Sequence, residues 1–117
     1  LGAVQSALRS GIVAGGGSSY LWASRVLNDD GGEGILKRAL RKPLETIVRN
    51  ANQNGDFAVE MLLLNGENEW SGWDVRRKKV IDLYKNKIID PLLVAEKVVE
   101  SACSVAGIML TAEAGIV

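Results

Sequence analysis

The 117-residue sequence contains no histidine and a single cysteine, Cys103. Without histidine there is no Ser–His–Asp or Cys–His arrangement for nucleophilic catalysis, and no zinc site of the usual Cys/His kind. One cysteine cannot close an internal disulfide. An excess of one charge is also lacking: 14 Lys and Arg offset 14 Asp and Glu, for a formal net charge of zero. No global field therefore favours nucleic acid or an anionic membrane surface. The longest apolar run near the C-terminus reaches only about half of the roughly 20 residues a spanning helix needs, and Glu113 interrupts the tail. The chain opens on Leu1-Gly2 within a helical pattern, with neither Met nor a basic signal-like start. It reads as a soluble, intracellular piece of something longer.

What the chain does have is a globular composition, 47% hydrophobic and 24% charged, at the length of one domain. Glycine is abundant, with 13 residues against two prolines, and three are consecutive in Gly11–Ser19, GIVAGGGSS. A glycine triplet ends a helix, or lets backbone approach a ligand without a Cβ in the way. Taken alone it is most simply an interhelical joint. It is not a Walker loop, because no Gly-Lys-Ser/Thr follows to hold phosphate and magnesium.

The pattern predicts a mainly α fold, a helical bundle with a small β-hairpin and a short C-terminal strand. Leu1, Val4, Ala7 and Leu8 recur at helical spacing up to Gly11. Ser18 is a good N-cap for a helix carrying Tyr20, Leu21, Trp22, Val26 and Leu27. The tract from Asn28 to Gly34 reads as a solvated loop. A helix then runs from Ile35 towards Asn52, with Leu36, Ala39, Leu40, Leu44, Ile47 and Val48 along one stripe and Lys37, Arg38, Arg41, Lys42, Glu45 and Arg49 outside it, kinked or split at Pro43. Asp56 can cap a further helix through Leu64. Residues 65–86 carry β-prone Trp73, Val75, Val80 and Ile81 around a polar run, which predicts a two-stranded hairpin. Pro91 suits the first position of a last helix, on which Glu96, Lys97, Glu100, Ser101 and Ser104 share a face. Beyond Ser104 the residues are apolar all round and predict burial, Cys103 falls on the apolar side, and Ala114–Val117 reads as a terminal strand.

Three segments together, GIVAGGG at residues 11–17, IIDP at 88–91 and SVAGIMLTAEA at 104–114, resemble the C-terminal equatorial part of a group I chaperonin. The resemblance spans essentially the whole chain. It implies that residues 1–117 are a C-terminal segment of a chaperonin equatorial, ATP-binding domain. The upstream equatorial half and the intermediate and apical domains then lie outside it. The middle glycine of the triplet, Gly16, is expected to bring its backbone against bound ATP. Asp90 is expected to accept the ribose hydroxyls, which suits an ionised carboxylate. Ile88 is expected on the adenine face; as a ligand contact or as ordinary core it would be buried. Where the family's hairpin reads GYNAAT, this chain has Gly72-Trp73-Asp74-Val75-Arg76-Arg77. Asp74 and the Val75 carbonyl remain acceptors for an adenine amino group.

The same resemblance places the family's catalytic aspartate, phosphate loop and metal-binding aspartate outside this chain. No catalytic residue and no metal ligand is therefore assigned here. The implied cofactor is ATP, with magnesium in the intact parent. The parent would hydrolyse ATP, while the isolated segment is expected to be inactive. Implied partners are other chaperonin subunits in a homo- or hetero-oligomeric ring, with clients and a co-chaperonin engaged through the other domains. Neither nucleic acid nor membrane is implied; the Arg76–Lys79 run reads as a solvated turn, and Trp70 and Trp73 as packing on the helices. The lysine-rich stretch 78–87 departs from the family and fits an organellar member, in plastid or mitochondrion, ahead of the bacterial cytoplasm. The competing reading is a non-catalytic helical scaffolding module that has lost nucleotide.

Overall fold

The computed structural model describes residues 11–116, with side chains described through residue 104. In chain order the elements are β1 (Ile12–Ala14), α1 (Ser18–Ser24), α2 (Gly31–Ala39), α3 (Lys42–Asn50), α4 (Gly55–Asn65), β2 (Ser71–Asp74), β3 (Lys79–Asp82), β4 (Ile89–Pro91) and α5 (Leu92–Ile116). They fall into two compact units, one of residues 13–90 and one formed by the two ends of the chain. β1 pairs with β4 and β2 with β3, in separate two-stranded sheets.

Within residues 13–90 the core is one cluster. Leu21 comes from α1, Leu44 and Val48 from α3, and Ala58, Val59 and Leu62 from α4, with Trp22, Leu63, Trp73, Val75 and Val80 packed around them. Each fully buried Leu or Val contributes roughly 1.5–3 kcal/mol relative to exposure, an upper bound because unfolded chains are partly collapsed. The stripe expected along residues 35–52 is present in part, divided between two helices: Leu40, Leu44 and Val48 are buried and Leu36 half-buried, whereas Ala39 and Ile47 are exposed and Glu45, expected outside, is buried. Pro43 sits in the first turn of α3, where a missing N–H breaks no intrahelical bond, and α2 ends before it at Ala39.

The tract expected to be loop is shorter than its composition suggests. α2 begins at Gly31, and Glu33 in its first turn accepts the Asn28 backbone N–H at 3.2 Å. A first-turn carboxylate is favoured by the helix dipole, so the polar residues here start a helix. Two caps also differ from expectation. Gly17, at φ +80°, holds the N-cap of α1, and Ser18 is the first helical residue. Asn54 caps α4, its side-chain oxygen accepting the Phe57 N–H at 3.0 Å, so Asp56 lies inside the helix.

The hairpin forms as expected, antiparallel with Ser71 opposite Asp82 and Asp74 opposite Lys79. Both tryptophans pack: Trp73 meets Phe57 edge-on at 6.1 Å and Trp70 meets Tyr84 at 5.0 Å. Arg76 to Lys79 are exposed around the turn. Pro91 ends β4, and α5 starts one residue later. α5 continues through Ile116, so Ala114–Ile116 are helical where a terminal strand is expected. Glu96, Lys97, Glu100, Ser101 and Ser104 are exposed as predicted. Cys103 is exposed as well, contrary to the core position expected of it. Every residue from Glu100 to Ser104 is exposed, so among the described residues no element covers the apolar side of α5 at this turn. Burial beyond Ser104, and the helix expected before Gly11, lie outside what is described.

Candidate functional site

The glycine triplet forms the turn between β1 and α1. The Gly15 N–H donates to the Ile88 carbonyl at 2.9 Å, and the Ser18 N–H donates back to the Gly15 carbonyl at 3.1 Å. The three glycines are needed for different reasons. A Cβ on Gly15 would lie 3.2 Å from the Ile88 carbonyl group, and one on Gly17 only 2.8 Å from the Leu44 nitrogen. Those two are fixed by packing. Gly16 has φ +62°, is exposed, and would meet nothing closer than Ile88 Cγ2 at 3.8 Å. Only the middle peptide faces open space, in a backbone conformation that glycine adopts without strain.

Ile88 is 41% exposed, which corrects the expectation of burial. Its backbone is occupied by Gly15 and by a bond from its own N–H to the Leu83 carbonyl, while its side chain is free to meet a ligand. Asp90 follows in β4, half-buried. Its charge reaches Tyr20 in the first turn of α1: burial, and then the Asp90 carboxylate, push the Tyr20 phenol above its ordinary pKa of 10.0. Gly16, Ile88, Asp90 and Tyr20 are thus grouped by the turn and the β1–β4 pairing. Tyr20 is the member that sequence reasoning missed. Its one signal is a position directly after the glycine turn, on the first turn of a helix.

Asp74 and Val75 belong to the hairpin, and their described bonds run elsewhere. Asp74 Oδ1 accepts the N–H groups of Arg76 and Arg77 at 2.8 and 3.2 Å. Desolvation pushes its carboxyl up, but those hydrogen bonds and the two arginine charges prevail and hold it below the usual range. The Val75 carbonyl accepts from the Gln53 side chain, which also accepts from Trp73 Nε1 at 3.3 Å. The Val75 carbonyl keeps a second lone pair, and Asp74 keeps Oδ2, which faces Arg77 Nε at 3.8 Å. Among the described residues no three His, Cys, Asp or Glu side chains converge to hold a metal, and no helix is long and apolar enough to cross a membrane.

Across residues 1–117 the sequence matches the TCP-1/cpn60 chaperonin family. The chain belongs to this family. Among curated relatives, the mitochondrial chaperonin HSP60 of Trypanosoma cruzi is 36% identical over 124 residues, covering 97% of this chain and 22% of that protein. Among solved structures, a group III chaperonin crystallised in the open state matches with a TM-score of 0.78 at 29% identity, over 91% of this chain and 24% of its own. The present chaperonin chain therefore spans between a fifth and a quarter of the length of the relatives it matches. Its mainly helical architecture with small strand pairs is that of a chaperonin equatorial-domain segment.

Proposed function

We propose that this chaperonin chain supplies the adenosine side of an ATP site in a protein-folding ring, and that it works in an organelle. The observation that carries the reading is the 2.9 Å bond from the Gly15 N–H to the Ile88 carbonyl, which sets Gly16 beside the exposed Ile88 side chain with Asp90 two residues on. The chemistry suits a nucleoside. An open glycine peptide admits close approach, an exposed isoleucine offers an apolar flank for a base, and a carboxylate accepts two sugar hydroxyls. Asp74 and Val75 are the proposed acceptors for the adenine amino group, Asp74 through Oδ2 and Val75 through its carbonyl's second lone pair. Because both already hold a donor, the sugar side carries more of the recognition. The ring partners, clients and co-chaperonin belong to this proposal too, and exposed Val94 and Val98 on α5 are consistent with association.

A site that grips sugar and base but not the phosphates forgoes the strong charge-assisted hydrogen bonds. Dissociation constants on the order of 1 mM are expected, about −4 kcal/mol. The test is a nitrogen-15 NMR titration of the chain with ATP, ADP and 2′-deoxy-ATP. Saturable shifts at Gly16, Ile88 and Asp90 are expected, weaker for the deoxynucleotide and weaker again in Asp90→Asn. Unchanged Gly16 and Asp90 resonances at about 10 mM nucleotide would leave the scaffolding reading.

A further inference from the structure

We propose that a second, separate pocket in residues 13–90 binds a phosphate-sized oxyanion. It is lined by Leu21, Ser24, Arg25, Lys37, Arg41 and Leu63, with a volume of about 270 Å³. None of these residues belongs to the adenosine group above. The three cations come from different parts of the chain: the end of α1, the last turn of α2 and the α2–α3 junction. Leu21, 1% exposed, and half-buried Leu63 form an apolar floor. A floor of that kind excludes water from one side and strengthens every charge above it.

Arg25 is the best placed of the three. Its guanidinium lies over the Trp22 ring, 5.4 Å from the centroid, and that ring is anchored by a 2.9 Å bond from Trp22 Nε1 to the Ser71 carbonyl. Stacking leaves the edge of a guanidinium, where its donors lie, free. Among the described residues Arg25 has no carboxylate within ion-pair distance. Glu67 and Glu69 border a neighbouring hollow with it and make no such pair. The other two cations hold only rim partners. Lys37 pairs with Asp29 at 2.9 Å, whose side chain is 86% exposed, and Arg41 with Glu60 at 3.9 Å, 62% exposed. Exposed pairs like these are weak and exchange readily for a multiply charged ligand. The buried Ser24 hydroxyl gives its proton to the Leu21 carbonyl. The cations must then do the binding, which selects for charge over neutral polar groups. Arginine forks match the oxygens of a phosphate or sulfate.

The test titrates the labelled full chain with potassium phosphate, and separately with potassium chloride at matched ionic strength, reading amide and arginine Nε resonances. Saturable shifts at Arg25, Lys37 and Arg41 with phosphate, absent with chloride, are expected. Arg25→Gln and Arg41→Gln should each weaken binding about tenfold, the loss of one charge-assisted hydrogen bond. Arg49→Gln, outside the pocket, should not, and Arg41→Lys should retain most of it if the glutamine variant unfolds. A phosphoserine peptide run in parallel separates the sources: equal affinity assigns the pocket to the free ion, tighter peptide binding to a phosphorylated chain. Shifts that never saturate, that chloride reproduces, or that persist in Arg25→Gln overturn the proposal.

Discussion

Tyr20 gives the proposed adenosine site a readout that needs no nucleotide. Burial is the larger cause of its raised pKa and the Asp90 carboxylate the smaller. In a Tyr84→Phe background, where Tyr20 is the only tyrosine left to titrate, Asp90→Asn should lower the phenol's pKa while leaving it above 10.0. The phenolate absorbance follows this directly. The linkage to stability has a definite sign. A folded pKa raised above the unfolded one means the unfolded chain ionises first, so the contribution is complete below the ordinary tyrosine range. It is lost as pH rises through the folded value. Asp90→Asn should therefore flatten the alkaline fall in stability, and an unchanged titration would mean that the carboxylate does not face the ring.

At the scale of elements, the sequence is most legible where burial imposes a long period. α3 and α4 supply most of the core, and Leu44 and Val48 in α3 stand out from flanking charges at helical spacing, whereas in α4 Leu62 sits in the apolar run Met61–Leu64 and its buried face cannot be picked out by period alone. β1 and β4 do not stand out. Three-residue strands are too short to show alternation, and their pairing is long-range, so the Gly15–Ile88 contact was accessible only through family resemblance. Tyr20 had no such route. The starts of α1 and α4 differ from expectation by a residue or two, and that of α2 by four, because several capping residues compete there: Asn54 and Asp56 both suit the start of α4, and only the bond to Phe57 N–H decides. That decision can be measured. Asn54→Ala should cost about 1 kcal/mol in urea unfolding, whereas Asp56→Ala, which loses only a favourable dipole interaction, should cost a few tenths of that. The denaturant slope should stay constant in both, because neither change alters the surface exposed on unfolding.

At the scale of the molecule, the division into two units has a consequence for autonomy. Among the described residues the largest fully buried hydrophobic side chains, Leu21, Leu44, Val48, Val59, Leu62 and Leu83, lie in residues 13–90. So do the proposed adenosine site and the proposed oxyanion pocket. α5 contributes mainly half-exposed apolar residues over its described side chains, with Val94 44% and Val98 50% exposed and Ala95 its buried position. A chain trimmed to 13–90 is therefore expected to fold by itself. Small domains of this size are marginal, at roughly 5 kcal/mol or less, and the trimmed chain also loses Ile12 and Pro91 from the β1–β4 pair. A lower urea midpoint with a still cooperative transition is the expected outcome. Near-ultraviolet circular dichroism from Trp22, Trp70 and Trp73 should persist, since Trp22 and Trp73 pack against the core and Trp70 against Tyr84, all within this unit. A gradual, non-cooperative loss of that signal would show that the two ends of the chain are required to hold the core together.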